Sequence, residues 1–192
     1  NGDRWEDISI TEGLPEFSQV YEIEPSPYDA ATAYVVYSNF NTYDDYKPYI
    51  FKTSDYGKTW TNLSTIFPQT EITRTIREDK IRKGLLFVGT ETGVYYSLND
   101  GQSWDKLKAN LPSVPVVGMV LKNEDLVIAT NGRGFWIMDD ITPLRTKSAK
   151  IEAKEVHLYP VPNHTRFGYC WWMDYTPGGD PGDKKNYFVQ NM

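Results

Sequence analysis

One cysteine and two histidines in 192 residues leave few routes to several common chemistries. Cys170 has no partner for an internal disulfide, so the redox compartment is not legible from cysteine usage. His157 and His164 stand seven positions apart with no carboxylate or cysteine at a ligand-type spacing, so no metal and no cofactor is expected. Clustered Lys and Arg are missing too. The net charge is −6, and only Lys80-Ile81-Arg82-Lys83 is locally basic, which reads as a solvated hairpin turn rather than a phosphate-binding patch. A nucleic-acid partner is therefore excluded. No apolar run reaches the length of a membrane span. There is no helix-period segment, no phosphate-cradling glycine loop, no nucleophile elbow and no dinucleotide fingerprint.

What is present is aromatic and rich in turns: 14 Tyr, 8 Phe and 6 Trp, with 12 Pro and 14 Gly, and 40% hydrophobic residues overall. That composition favours many short strands joined by tight turns over long helices. Two turns share a pattern, [S/T]-x-[D/N]-x-G-x-[S/T]-W. The first is Thr53-Ser54-Asp55-Tyr56-Gly57-Lys58-Thr59-Trp60 and the second, 44 positions later, is Ser97-Leu98-Asn99-Asp100-Gly101-Gln102-Ser103-Trp104. Asp55 or Asn99 can fold its side-chain oxygen onto nearby backbone N–H groups, and Gly57 or Gly101 supplies a positive-φ position. Thr59 or Ser103 ties off the next strand. Trp60 and Trp104 each present a large apolar face that calls for burial against a neighbouring repeat.

The motif resembles the Asp-box, or bacterial neuraminidase repeat, of sialidases, sortilin-type receptors, xyloglucanase-type propellers and other secreted bacterial proteins. The resemblance implies an all-β fold of β-propeller blades, each a four-stranded antiparallel sheet whose third and fourth strands the box joins. It also implies that Thr53, Asp55, Gly57, Thr59, Trp60, Ser97, Asn99, Gly101, Ser103 and Trp104 are structural, and that the protein is extracellular or at the cell surface. The stretch from Asn131 to Arg145 resembles the end of the propeller in sortilin-like proteins.

Along the chain, 1–145 is expected to hold about three blades. Gly2 and Trp5 fall on box positions, so the chain reads as a fragment that opens inside a turn, with 1–10 the outer strand of an incomplete blade. Blades follow at 19–63 and 71–108, and a degenerate one at 114–142, where Asp140 stands in for Asn99 but no Gly or Trp follows. A long loop is expected from Ser38 to Pro48. Beyond, 146–192 reads as an extension that packs on the propeller or leads to a further domain, with a linker-like start, a strand at Glu155–Pro160, an aromatic cluster including Trp171 and Trp172, and a closing strand at Tyr187–Val189.

Propellers close with typically four to eight blades, so a three-blade arc leaves two apolar faces uncovered. Remaining blades, from the same precursor or another chain, are the expected partner. The resemblance places the second-to-third-strand loops on one face, which makes Tyr43, Tyr46, Glu91, Asn131 and Arg133 ligand-face candidates for a glycan or protein. Asp44 and Asp45, carboxylates beside aromatic rings, are the catalytic candidates if the chain is part of a glycoside hydrolase. A sialidase needs three converging arginines and an Arg-Ile-Pro segment; the latter is absent, and Arg74, Arg77 and Arg133 offer no evident convergence. A non-catalytic binding or assembly scaffold is the preferred reading.

Overall fold

The computed structural model describes residues 5–10, 12–159, 165–169 and 187–191. The chain divides into two units, 1–149 and 150–192. In the first unit, β1 (Gln19–Pro25), β2 (Ala33–Asn39), β3 (Asp45–Thr53) and β4 (Thr61–Asn62) form a four-stranded antiparallel sheet in sequence order. A second sheet repeats the arrangement with β5 (Thr73–Glu78), β6 (Leu86–Thr90), β7 (Val94–Ser97) and β8 (Asp105–Lys106). The third has three strands, β9 (Val116–Lys122), β10 (Asp125–Thr130) and β11 (Phe135–Met138). Short helices lie at α1 (Phe40–Tyr43), α2 (Thr142–Thr146) and α3 (Ala149–Glu152). In the second unit β12 (Thr165–Tyr169) pairs antiparallel with β13 (Tyr187–Asn191). The fold is all-β, built from consecutive antiparallel sheets.

The sheets stack because their strands alternate. From Leu85 to Val88, Leu86 and Val88 face the first sheet, where they meet Tyr34, Val36, Ile50, Leu63 and Phe67. Leu85 and Phe87 face the third, against Val116, Met119, Leu126 and Ile128. The middle sheet is thus apolar on both sides, and each fully buried large side chain contributes about 1.5–3 kcal/mol of transfer free energy. The outer faces have no such cover among the described residues. Ile23 on the first sheet is 60% exposed, and on the third Phe135 and Ile137 are 80% and 60% exposed.

The two repeated turns have matching geometry. Thr53 Oγ1 donates to Asp55 and accepts the Gly57 N–H at 2.9 Å, while Ser97 Oγ does the same for Asn99 and Gly101 at 2.9 and 2.8 Å. Asp55 accepts the Thr59 N–H and hydroxyl; Asn99 accepts the Ser103 N–H and donates its amide to Ser103 Oγ. Tyr56 and Gly57, and likewise Asp100 and Gly101, have positive φ. A Cβ on Gly57 would lie 2.8 Å from Ile8, and one on Gly101 2.7 Å from Leu63, so both glycines make room for an aliphatic side chain from the preceding segment. Trp104 packs on Phe67 of the first repeat at 5.4 Å between ring centroids, and Trp60 Nε1 donates to the Ile8 carbonyl at 3.1 Å.

The Asp55 pKa falls to about 2, first because the carboxylate accepts the Thr59 N–H and then its hydroxyl. A carboxyl depressed from about 4 when folded contributes stability that is present above about pH 4 and lost as the pH falls toward 2. Asn99 cannot titrate. Asp55→Asn is expected to flatten the acid limb of the stability profile between about pH 4 and 2, and Asn99→Asp to steepen it, read as urea midpoints against pH.

Several segments differ from the sequence reading. Trp5–Ile10 joins no sheet, since the strands of the first unit that could flank it already pair with one another. The region from Ser38 to Pro48 is no long loop: β2 runs to Asn39, α1 spans Phe40–Tyr43, and Asp44 in the left-handed region (φ 54°) turns the chain into β3. Asp140, set opposite Asn99 in the alignment of repeats, instead accepts the Thr142 N–H at 2.9 Å and starts α2. Thr146 lies in α2 rather than a linker, and residues 155–159 form no strand. Trp171, Trp172, Cys170 and His164 lie outside the described residues.

Candidate functional site

The ligand-face candidates occupy the same connection in three successive sheets. Tyr43 and Asp44 lie in the β2–β3 connection, followed by Asp45 and Tyr46 at the head of β3. Glu91 lies between β6 and β7, and Asn131 and Arg133 between β10 and β11. Among the described residues, no hydrogen bond or ion pair joins one group to the next.

Each group is anchored locally. Asp45 accepts the Tyr49 hydroxyl at 2.6 Å and the Lys47 N–H at 3.0 Å. Burial, and then Asp45, push the Tyr49 phenol far above its usual value. Tyr46 stacks edgewise on Phe40 at 5.1 Å, and the Asp44 carboxylate raises its phenol pKa by accepting its proton. Tyr43 and Asp44 are exposed. Glu91 pairs with Arg74, whose guanidinium also donates to the Tyr21 hydroxyl at 2.8 Å and lies over that ring. Asn131 donates its N–H to the Pro115 carbonyl at 2.9 Å, and the exposed Arg133 turns its carbonyl to Trp136 Nε1.

Other polar groups escaped the sequence reading. Glu22 and Glu24 on β1 converge on Arg77 of β5, and Arg77 Nε reaches across to the Met119 carbonyl of β9 at 2.8 Å, so one side chain ties together all three sheets. The same carboxylates accept N–H groups along the free edge of β5, from Ile76 at 3.0 Å and Glu78 at 3.4 Å. Burial raises the Glu24 pKa, and Arg77 works against that. Glu71 is 8% exposed; Thr92 and Tyr95 donate their hydroxyls to its Oε1, and Oε2 has no protein partner. The Tyr95 phenol is pushed up to about 12, by burial first and Glu71 second. Two adjacent charges on a strand expected to be innermost were the available sign, because such groups need partners.

The motif from Asn131 to Arg145 ends in a latch. Arg145 makes a forked pair with Asp79, Nη2 at 2.8 Å and Nε at 3.0 Å, and donates to the Asn123 carbonyl at 2.7 Å. The Asp79 side chain is fully buried. Arg82 in turn donates to the carbonyls of Leu144, Arg145 and Lys147 at the end of α2, while Ile141 and Leu144 fill the apolar layer beside Phe87. The stretch 80–83 is thus a turn that holds α2 in place. Among the described residues no cluster of His, Cys, Asp and Glu could hold a metal ion.

Solved structures match this geometry. A GH74 enzyme from Niastella koreensis superposes with a TM-score of 0.52 at 17% identity, over 63% of this chain and 21% of that one. A GH74 xyloglucanase from Xanthomonas campestris gives 0.54 at 12% identity, over 73% and 23%. YCF48 bound to D1 peptide gives 0.51 at 15% identity, over 72% and 42%. No protein-family model and no curated protein matches the sequence. The chain therefore has the fold of part of a β-propeller, and it spans between about a fifth and two fifths of the length of these similar structures. Among the described residues no helix is long and apolar enough to cross a membrane.

Proposed function

We propose that the chain is part of a secreted or cell-surface propeller of the Asp-box, sortilin-like kind, serving as a protein- or glycan-binding or assembly scaffold, with further blades completing its ring. The observation that carries this reading is the state of the carboxylates. Asp45 is taken up by Tyr49 and Lys47, Glu91 by Arg74, and Glu22 and Glu24 by Arg77. Groups committed to fixed donors are badly placed to protonate a leaving group or activate water. Exposed Tyr43 and Tyr46 offer flat faces for stacking. One similar propeller is described with a bound peptide, which agrees with a binding role.

A second reading, the C-terminal part of a propeller glycoside hydrolase with its acid and base largely in other blades, rests on the exposed Asp44 beside these rings. Soaking with xyloglucan and sialylated oligosaccharides separates the two. Binding without cleavage is expected, weakened at least about tenfold by Tyr43→Ala with Tyr46→Ala, a loss of about 1.4 kcal/mol. Cleavage that disappears in Asp44→Asn or Asp45→Asn would establish the hydrolase instead.

A further inference from the structure

We infer that residues 5–10 are a fourth strand in search of a sheet, and that in a pair of these chains they complete the third sheet of the second copy. The inference deepens the reading that added polypeptide closes the ring, and it commits that polypeptide to a second copy of this chain.

The internal repeats show what a fourth strand does. After Trp60 comes Leu63, three positions on, and Leu63 fills the space over Gly101 of the following sheet. After Trp5 comes Ile8, three positions on, and Ile8 fills the space over Gly57. The likeness extends to the backbone: Asn62 Oδ1 accepts the Ser64 N–H at 2.7 Å, and Asp7 Oδ1 accepts the Ser9 N–H at 2.9 Å. Residues 5–10 therefore sit where the fourth strand of a preceding sheet would lie, yet no strand pairs with them among the described residues. Trp5 is left 88% exposed.

The third sheet has the complementary defect. β11 pairs with β10 alone, so its outer edge is open among the described residues, and an open edge is a template for another chain. Within one copy the second sheet stands between the two, since Arg77 bonds the first sheet on one side and the third on the other. Two copies, head to tail, supply each open edge with a strand and cover Ile23 and its neighbours with Phe135 and Ile137. Such a heterologous contact closes into a ring when its rotation allows. Three sheets from each copy make about six, inside the range in which propellers close.

The register follows from the repeats. Lys52 pairs with Thr61 and Tyr96 with Asp105, in each case the residue after the Trp against the residue before the box. The equivalent pair is Glu6 of one copy with Ile137 of the other. Phe67, the partner of Trp104, corresponds to Leu111 one repeat on, so Trp5 is directed at Leu111 of the second copy.

Sedimentation equilibrium of the full chain, with Cys170→Ser for crosslinking, is the test. A dimer is expected, and Trp5→Asp with Ile8→Asp should raise its dissociation constant at least about tenfold. Chains carrying Glu6→Cys, mixed with chains carrying Ile137→Cys, should form a disulfide heterodimer on oxidation; Phe135→Cys in place of Ile137→Cys is out of register and should crosslink far less. A dimer without the 6–137 crosslink overturns the strand exchange but leaves ring completion standing. A monomer that binds a hydrophobic dye at its open faces overturns the second copy and leaves other blades as the partner. A monomer that binds no dye overturns both.

Discussion

Arg145→Ala is expected to lower the unfolding free energy by about 3–5 kcal/mol, the usual result of leaving one charge of a buried pair alone. Asp79 is fully buried, and its forked bond to Arg145 fixes α2 across the end of the second and third sheets. Removing the guanidinium strands that carboxylate and also frees the Asn123 carbonyl, which accepts from the same Nη2. Arg145→Lys should recover only part of the loss, because an ammonium cannot reproduce the fork. Asp79→Ala is expected to be as severe or worse, as Asp79 also accepts the N–H groups of Ile81 and Arg82. The double substitution Asp79→Ala with Arg145→Met should cost less than the sum of the single ones, since no charge then remains unpaired. Urea unfolding of the four variants measures this, and a loss of under about 1 kcal/mol in Arg145→Ala would reduce the latch to a surface contact.

Gly89→Ala should destabilise by about 1–3 kcal/mol although its backbone is ordinary for a strand. A Cβ there would lie 2.5 Å from Thr75 Cγ2 and 2.6 Å from Val116 Cγ1. Both neighbours are short and β-branched, and they belong to β5 and β9, so neither can swing aside without moving a strand. Gly118→Ala is the internal control: its Cβ would meet only Ala129 at 3.8 Å, and a neutral or slightly stabilising result is expected there. Thermal or urea midpoints of the two variants, compared directly, check the idea. Equal effects would mean that the second and third sheets are not closely packed at Gly89.

Much of the fold is legible in local chemistry. The strands flanking each repeated turn alternate in ways that only a sheet tolerates, and Asp55 and Asn99 reach their bonds within a few residues, so the pattern of residue types is enough to specify the turn. The region from Ser38 to Pro48 was harder to read. Its polar residues resemble a loop, yet Asp44 at positive φ and the pairing of Asn39 with Asp45 make it a compact turn, and both depend on strand register rather than composition. The candidate site was legible only as a set of connections on one rim. Which carboxylates are free on that rim could not be read, because Arg74 and Glu91 are 17 positions apart and meet only across paired strands.

From the order of its residues alone this chain is an all-β protein of repeated sheets, since periodicity and turn chemistry act over four to ten neighbours at a time. Tertiary structure decided where its charges go: Arg77 spans three sheets, Asp79 finds Arg145 66 positions away, and Ile8 lies on Gly57. Electrostatic and packing partners are chosen by distance in space, and that distance is set only after the sheets have stacked.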